Sequence, residues 1–298
     1  MKKFIIGNDT LKISLHAPDG VEGYYRGTRF DWAGVFESIV YKGCNYAEEW
    51  FENYSPLMHD AVCGPAEEFG PIGLEGTAAG DPFLKIGVGI LERMDNEPYD
   101  RFKLHKILEP GIWKTVQDEN SLTFIHELSS GTGFGYDYMK RITVTGENSF
   151  RISHRLANTG SKGLKGDVYN HNFFTLGLLE SGPTRLMDFP FKPEGDWRAD
   201  YSEVGFKDNG IRFTRRLEKG ESVFTSNLHE SGKGMNGSPN AFELMETKTG
   251  RGVKMTCPVQ MTRMVFWSNH MIACLEPYID FSILPGETFE FDIDYSLL

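Results

Sequence analysis

The sequence predicts an all-β fold in which antiparallel sheets form one large sandwich. Apolar and polar residues alternate with period two along most of the chain, whereas helical periodicity is scarce. The 33 glycines and 14 prolines are spread between short alternating stretches, where they mark turns. No linker-like stretch divides the 298 residues, so residues 1–298 are predicted to form a single domain.

The alternating stretches predict strands in chain order. In the first, Leu11, Ile13 and Leu15 alternate with polar residues, as in a strand with one buried face. Two hairpins are predicted around the turns at residues 145–148 and 249–250, because each turn separates two alternating stretches. Further strands are predicted in PFLKIGVGIL (82–91), SLTFIHEL (121–128), GIRFTRRL (210–217), RMVFWSN (263–269) and ETFEFDIDYSLL (287–298).

Residues 43–82 are the exception to this pattern, because they show no sustained period of either kind. A long irregular segment in a compact domain is usually functional or forms a mobile lid. An ordered surface loop that covers a sheet is the alternative interpretation. The sequence leaves both open.

The charge balance argues against one class of partner and favours another. The chain has 31 lysines and arginines against 42 aspartates and glutamates, which gives a formal net charge of −11. The sequence contains no basic run suited to phosphate contacts, so we predict no nucleic-acid partner. An acidic surface also disfavours a polyanionic ligand, and a neutral small molecule fits it more easily.

The apolar patterning predicts a cytoplasmic protein without a membrane partner. No apolar run approaches about 18 residues, the length that predicts a membrane-spanning helix. The start, MKKFIIGNDTLKI, has a run of only three apolar residues after its lysines, and a signal peptide needs a longer one. The sequence does not predict an oligomeric state.

Two unusual polar placements indicate the functional site. The first is His171 in the stretch DVYNHNFFTLG (167–177), where it stands between Asn170 and Asn172 among large apolar residues. In an alternating strand His171 shares one face with Tyr169 and Phe173, while the two asparagines lie on the other. A lone histidine in such a setting is more often structural, so the interpretation depends on the second placement.

The second placement is Glu276, which follows the apolar run at 272–275 and precedes Pro277. This order predicts a carboxylate at a dry strand terminus, because proline restricts the residue before it to extended or turn conformations. Burial raises the pKa of a carboxyl group and makes a glutamate an effective base near neutral pH. A glutamate paired with a nearby arginine or backbone N–H is the alternative interpretation.

Together these stretches resemble the aldose 1-epimerase, or galactose mutarotase-like, superfamily. The resemblance rests on NHNFF (170–174), then CLEPY (274–278), then LPGETF (284–289), in that order. It covers residues 110–298, and the first third of the chain matches only in its general strand pattern. What the resemblance implies is a β-supersandwich of antiparallel sheets and chemistry on sugars.

The resemblance also implies the catalytic roles. The family's histidine acts as the acid and its late glutamate as the base, and these correspond to His171 and Glu276. Interconversion of anomers needs a base for the anomeric hydroxyl and an acid for the ring oxygen, and it needs no cofactor. We therefore expect a small-molecule sugar as the partner, no metal ligands, and a gap of about 5–7 Å between the two groups.

Several further residues are candidates for hydrogen bonds to the sugar. His105 lies where family members carry a histidine-rich segment, and it either replaces one of those histidines or is an ordinary strand residue. Arg29 or Arg26 stands in for an arginine of the family that is missing from its usual place, with a surface ion pair as the alternative role. Glu67 and Glu68 lie in the irregular segment and reach the sugar if that segment closes over the site. Asn172 flanks His171.

Trp267 is the candidate for the apolar side of the site. Sugars present C–H faces that pack on aromatic rings. This tryptophan lies in the predicted strand just ahead of the one that carries Glu276. Core packing is the alternative role for a single tryptophan.

The predicted function is that of an aldose 1-epimerase, an isomerase that interconverts sugar anomers by acid–base catalysis. A non-catalytic sugar-binding protein on the same fold is one alternative, because the histidine-rich segment is missing. A mutarotase for hexose phosphates is another, and it requires basic residues that converge on one pocket edge. Arg93, Arg101 and Lys103 are available for this purpose, although the overall charge balance does not favour it.

Overall fold

The computed structural model describes residues 1–233 and 238–298. In these residues the regular elements are β-strands, and no helix is long and apolar enough to cross a membrane. The strands are β1 (Lys3–Gly7), β2 (Leu11–His16), β3 (Phe36–Tyr41), β4 (Cys44–Asn45), β5 (Gly64–Phe69), β6 (Pro82–Lys85), β7 (Gly89–Glu92), β8 (Ile107–Glu109), β9 (Ile112–Gln117), β10 (Ser121–Ser129), β11 (Gly135–Val144), β12 (Ser149–Asn158), β13 (Leu164–Phe173), β14 (Arg185–Asp188), β15 (Pro193–Trp197), β16 (Val204–Lys207), β17 (Gly210–Phe213), β18 (Ser222–Glu230), β19 (Ala241–Glu246), β20 (Arg251–Thr256), β21 (Arg263–Asn269), β22 (Ala273–Ile283) and β23 (Thr288–Leu297).

Antiparallel pairing joins these strands into sheets. A ten-stranded sheet has the order β16-β17-β14-β19-β20-β23-β12-β11-β10-β9, and a six-stranded sheet has the order β15-β18-β21-β22-β13-β5. Strands β1–β4 and β6–β8 form two smaller sheets. The prediction of an all-β fold with antiparallel sheets is therefore confirmed.

Most predicted strands have close to their predicted bounds, and both predicted hairpins are present as β11–β12 and β19–β20. The prediction of a single strand at 82–91 is wrong, because this stretch forms two strands, β6 and β7. Gly87 turns the chain between them with a φ of 78°, a left-handed conformation that favours glycine. The strand predicted at 210–217 ends at Phe213.

Residues 43–82 contain a buried strand that the sequence pattern did not predict. β5 pairs with β13 at the edge of the six-stranded sheet, and all six of its residues are buried. No alternation marks this strand, because both of its faces are covered. Its two glutamates are buried as well, and they pair with buried lysines, Glu67 with Lys140 and Glu68 with Lys85.

The two large sheets meet where β13 approaches β23. The Tyr295 hydroxyl of β23 donates to the Oδ1 atoms of Asn170 (2.5 Å) and Asn172 (2.9 Å) in a shared contact. Asn170 in turn donates to Glu67 at 2.9 Å. The asparagine face of β13 therefore points toward the second sheet, and the opposite face, which carries His171, lines a pocket.

Candidate functional site

Cross-strand register places the two candidate catalytic residues side by side. β13 and β22 are antiparallel neighbours with Tyr169 opposite Tyr278, so the same register brings His171 opposite Glu276. On the other side of β22, Val265 of β21 lies opposite Glu276. These residues form one row across the face of the six-stranded sheet. The next rows on this face lie about 7 Å away along the strands.

His171 and Glu276 are in direct contact. The Nε2 atom of His171 lies 3.2 Å from Oε1 of Glu276, and the residues are 3% and 5% exposed. The prediction of a gap of about 5–7 Å between the two groups is therefore wrong. Directly opposed residues of an antiparallel pair have Cβ atoms about 4.5–5.5 Å apart, which leaves no room for a sugar ring between their side chains.

Glu276 lies inside β22, so the prediction of a strand terminus is wrong as well. The ladder between β13 and β22 ends at Tyr278, next to Pro277, which has no N–H to donate. Beyond that point Asn172 provides the link, because its Nδ2 atom donates to the backbone carbonyl of Leu275 at 2.8 Å. The strand continues past the proline, and its carboxylate stays beside the imidazole.

A cavity of about 450 Å³ opens above this row. One of its walls is aromatic. The Trp50 ring stacks on Phe173 with centroids 5.2 Å apart and meets the edge of Trp267 at 5.7 Å. His171 stacks on Phe173 at 3.7 Å, so the imidazole belongs to the same wall. Other residues that line the cavity are His59, Asp60, Phe102, Arg198, Phe224 and Ser226.

The opposite end of the cavity is rich in cations. Glu68 is buried beneath it and is contacted by Arg29 (2.8 Å), Lys85 (3.2 Å) and Arg101 (3.5 Å). The Tyr169 hydroxyl donates to Glu68 and accepts hydrogen bonds of 3.0 Å from each of the two arginines. Three cations thus surround one carboxylate. In the described part of the chain, no cluster of three or more His, Cys, Asp or Glu side chains has the arrangement of a metal site.

Arg263 of β21 extends this charged end. Its guanidinium lies 3.9 Å from the centroid of the Tyr278 ring and pairs with Asp167 at 3.2 Å. Arg101 donates to the hydroxyl of the same tyrosine at 3.4 Å. Arg101 and Arg263 therefore flank Tyr278, and their side chains are 34% and 41% exposed at the cavity wall.

The surroundings favour the neutral forms of both members of the pair. Burial raises the pKa of Glu276 to about 7, although Arg29 and Arg101 oppose the shift. Burial lowers the pKa of His171 well below its usual 6.5, and the same two arginines lower it further. As the pH falls through about 7, the pair therefore takes up a single proton.

Of the residues predicted to contact a sugar, Arg29 and Trp267 line the cavity and Asn172, His105 and Glu68 do not. Asn172 is a correction, because strand alternation directs its side chain to the second sheet. Glu68 is a correction too. It is 1% exposed and lies beneath Arg29, which it holds in place instead of reaching the cavity itself.

His105 is the third correction. Its ring packs edge-on against Phe83 at 5.3 Å and stacks on Tyr99 at 5.4 Å, outside the cavity. Of the basic residues considered for a phosphorylated sugar, Arg101 alone lines the cavity among the described residues. Arg93 bonds to backbone carbonyls of its own loop, and Lys103 pairs with an aspartate at the surface.

Sequence reasoning missed several cavity residues, among them Trp50, His59 and Arg263. The first two lie in the irregular segment 43–82, and no periodicity predicts the path of that segment. Arg263 could have been found from the sequence, because it is the first residue of the predicted strand RMVFWSN and shares a face with Trp267 by period-two alternation.

The fold and the site together define an all-β sandwich protein with a cavity of about 450 Å³ on one sheet face. Among solved structures, the chain is similar to galactose mutarotase-like proteins and aldose 1-epimerase homologues. No family model matches the sequence, and no curated protein matches it. The similarity is therefore one of structure.

Three solved structures illustrate it. A candidate aldose 1-epimerase from Escherichia coli has a TM-score of 0.62 and 13% identity, with 100% of this chain and 99% of that chain covered. A galactose mutarotase-like protein from Lactobacillus casei has a TM-score of 0.58 and 11% identity, with both chains covered to 100%. An aldose epimerase homologue from C. elegans has a TM-score of 0.56 and 13% identity, with 100% and 98% covered. The chain has the galactose mutarotase-like fold, which confirms the resemblance to that superfamily at the level of the fold.

Proposed function

We propose that this protein interconverts the anomers of an aldose by acid–base catalysis, as an aldose 1-epimerase does. The observation that carries the proposal is the 3.2 Å contact between His171 and Glu276 at the floor of the cavity. The pKa of Glu276, which burial raises to about 7, supports it, because a group that titrates near neutral pH both accepts and releases protons readily. The names of the structures that share the fold are consistent with this chemistry.

The reaction requires one proton on the pair. The free pair holds this proton on Glu276, whose pKa burial raises to about 7. Its transfer to His171 across the 3.2 Å contact gives the reactive form, in which the carboxylate takes the proton of the anomeric hydroxyl while the imidazolium protonates the ring oxygen. The bond between C1 and the ring oxygen breaks, and the open-chain aldehyde forms. After rotation about the C1–C2 bond, the reverse transfers close the ring as the other anomer. Both residues then return to their starting protonation states.

Direct contact between the acid and the base is compatible with this reaction. The anomeric hydroxyl and the ring oxygen are bonded to the same carbon, so two neighbouring groups reach both oxygens. A sugar above the pair replaces the contact between His171 and Glu276 with one hydrogen bond to each. The aromatic wall of Trp50, Phe173 and Trp267 then offers a surface for the C–H face of the ring.

Exchange NMR of sugar anomers tests the proposal. We expect the purified protein to accelerate exchange of at least one aldose in a panel of neutral, phosphorylated and carboxylated sugars. Glu276→Gln and His171→Asn are each expected to lower kcat by about 10²–10⁴-fold, because each removes one proton carrier.

Glu290→Gln is the matched control for this experiment. It makes the same chemical change on β23, where the Glu290 side chain is 65% exposed and pairs with Arg155 outside the cavity. Circular dichroism establishes that the variants are folded. A folded protein that accelerates exchange of no sugar in the panel would contradict the proposal.

A non-catalytic sugar-binding protein is the second candidate. The observation that favours it is the position of His105, which stands where the family has its histidine-rich segment but packs against Phe83 and Tyr99 outside the cavity. Calorimetric binding of an aldose without anomer exchange, at an affinity that Glu276→Gln leaves unchanged, would select this function.

A further inference from the structure

We propose that the sugar bound in this cavity carries an anionic group, a phosphate or a carboxylate, held between Arg101 and Arg263 at the end remote from the aromatic wall. The inference rests on the proposed function in one respect, since that function places the anomeric carbon at the row of His171 and Glu276. Two independent observations support it. One is the excess of positive charge around Glu68, and the other is the distance along β22 between Glu276 and Tyr278.

The charge at this end of the cavity is unbalanced. Arg29, Lys85 and Arg101 share Glu68 as a counter-ion, so three cations against one carboxylate leave an excess of two positive charges. Arg29 and Lys85 are buried, and a buried charge without a counter-ion is costly. An anionic ligand removes this cost. The excess stands in contrast to the formal net charge of −11 of the whole chain.

The other carboxyl groups near the cavity do not cancel the excess. Glu276 faces Arg29 and Arg101, but burial raises its pKa to about 7, so it is only partly ionised near neutral pH. Asp60 lines the cavity beside His59, with 3.7 Å between Oδ1 and Nδ1, and it offsets one of the two positive charges. Asp167 pairs with Arg263 and also faces Arg101, but it is not among the residues that line the cavity.

The spacing of the rows matches one sugar ring. Tyr278 lies two positions from Glu276 along β22, which is about 7 Å in an extended strand. Arg101 and Arg263 flank this tyrosine. A pyranose whose C1 faces Glu276 spans roughly this distance and directs the substituent on C5 toward the two guanidinium groups.

Both arginines keep donors for a ligand. Arg101 uses Nη1 for its contacts with Tyr169 and Tyr278, and Arg263 uses Nη2 for Asp167. The other nitrogens of each guanidinium carry N–H groups in a planar fork, which suits the oxygens of a phosphate or a carboxylate. The two arginines therefore form a clamp for an anion, positioned by Tyr278 between them.

Calorimetry with the Glu276→Gln variant separates binding from turnover. The probes are D-glucose, D-glucose 6-phosphate and D-glucuronate, with the corresponding galactose compounds as a second set. We expect a charged probe to bind at least about tenfold more tightly than its neutral counterpart, since hydrogen bonds to charged groups are stronger. This advantage should shrink as salt is added. The phosphate and carboxylate probes distinguish the two sources of charge.

Arginine variants locate the anion within the cavity. Arg101→Gln and Arg263→Gln are each expected to lower the ratio of charged to neutral affinity by about 10- to 100-fold. Arg155→Gln is the matched control, because Arg155 is 46% exposed and lies outside the cavity. Arg198→Gln tests the orientation, since Arg198 stacks on Phe224 at the aromatic end. An equal loss in Arg198→Gln would overturn the assignment of the anion to Arg101 and Arg263.

The outcomes distinguish this inference from the proposed function. Tight binding of a charged probe without anomer exchange of any sugar supports the anion clamp and contradicts the catalytic proposal. Rapid exchange of neutral aldoses, together with equal affinities for neutral and charged probes, supports the catalytic proposal and overturns the anion clamp. A ratio of charged to neutral affinity that stays at the wild-type value in both Arg101→Gln and Arg263→Gln would overturn the anion clamp as well.

Discussion

Asn172 donates a 2.8 Å hydrogen bond from its Nδ2 atom to the backbone carbonyl of Leu275, just beyond the point where the ladder between β13 and β22 ends. Asn172 adjoins His171 in the chain, and Leu275 adjoins Glu276. The hydroxyl of Tyr295 contacts Oδ1 of the same amide at 2.9 Å. Asn172 therefore sets the relative position of the catalytic candidates from the rear of the sheet.

Replacement of this amide is predicted to affect both stability and rate. Asn172→Ala removes the side-chain donor to the Leu275 carbonyl, and a buried unsatisfied group costs about 1–3 kcal/mol. The Tyr295 hydroxyl keeps its other acceptor, Asn170. We expect a lower free energy of unfolding in urea and a kcat in exchange NMR that falls more than KM rises. Asn148→Ala is the control, because Asn148 makes a similar 2.8 Å bond to the Leu297 carbonyl away from the site. Equal losses of kcat in the two variants would show that Asn172 has no positioning role.

The rate of anomer exchange is predicted to follow a bell-shaped pH profile. The active state holds one proton on the pair, and this proton is lost as the pH rises through about 7, the raised pKa of Glu276. Once the pH falls below the lowered pKa of His171, a second proton binds and no base remains. We expect the rate to decline above about 7 and again well below 6.5. Exchange NMR at constant ionic strength measures it, and a rate that still rises above about pH 8 rules out this assignment.

The strands were predictable wherever one face meets the core and the other meets solvent. In β2, Leu11 and Ile13 are buried while Lys12 is exposed, so the alternation is visible in the sequence. In β5 both faces are covered, and the buried side chains of Glu67 and Glu68 form ion pairs with residues elsewhere in the chain. A local pattern contains no information about such partners. The strand was therefore not predicted.

The two candidate residues of the pair can be selected from the sequence, but their geometry cannot. His171 and Glu276 stand out because polar residues are unusual in such apolar stretches. Their direct contact depends on the pairing of β13 with β22, and residues that meet there, such as Asn172 and Leu275, are 103 positions apart in the chain. The cluster of Arg29, Arg101 and Arg263 has the same origin, since three distant segments supply it. The overall charge of the chain does not reveal this cluster, because it averages over the whole surface.

Removal of the Glu68 carboxylate is predicted to destabilise the protein. Glu68→Gln leaves Arg29, Lys85 and Arg101 without their shared counter-ion, and loss of one partner of a buried ion pair costs about 3–5 kcal/mol. Burial raises the pKa of Glu68, but the three cations lower it to about 2 in the folded state. Its stabilisation is therefore present above the ordinary pKa of 4.5 and disappears as the pH falls toward about 2.

Urea denaturation near neutral pH and in acid measures this effect. The difference in unfolding free energy between wild type and Glu68→Gln should be large near pH 7 and smaller near pH 3, a window that follows from the lowered pKa of Glu68. Glu127→Gln is the control, because Glu127 forms an exposed pair with Lys114 and its loss should cost about 1 kcal/mol or less. A similarly small cost for Glu68→Gln would mean that the cations do not depend on this carboxylate.

Truncation of Trp267 is predicted to weaken sugar binding more than it slows the reaction. The indole lies edge-on to His171 at 6.0 Å and to Trp50 at 5.7 Å, so it shapes the wall of the cavity beside the proton carriers. Trp267→Ala should raise KM by about 5- to 30-fold, equivalent to about 1–2 kcal/mol of lost aromatic contact, and Trp267→Phe should recover most of it. Trp113→Ala serves as the control, because this half-buried indole stacks on His126 outside the cavity. An aromatic wall binds the sugar ring equally well in both anomeric forms, so its loss should act mainly on KM. A change confined to kcat would instead show that Trp267 orients His171.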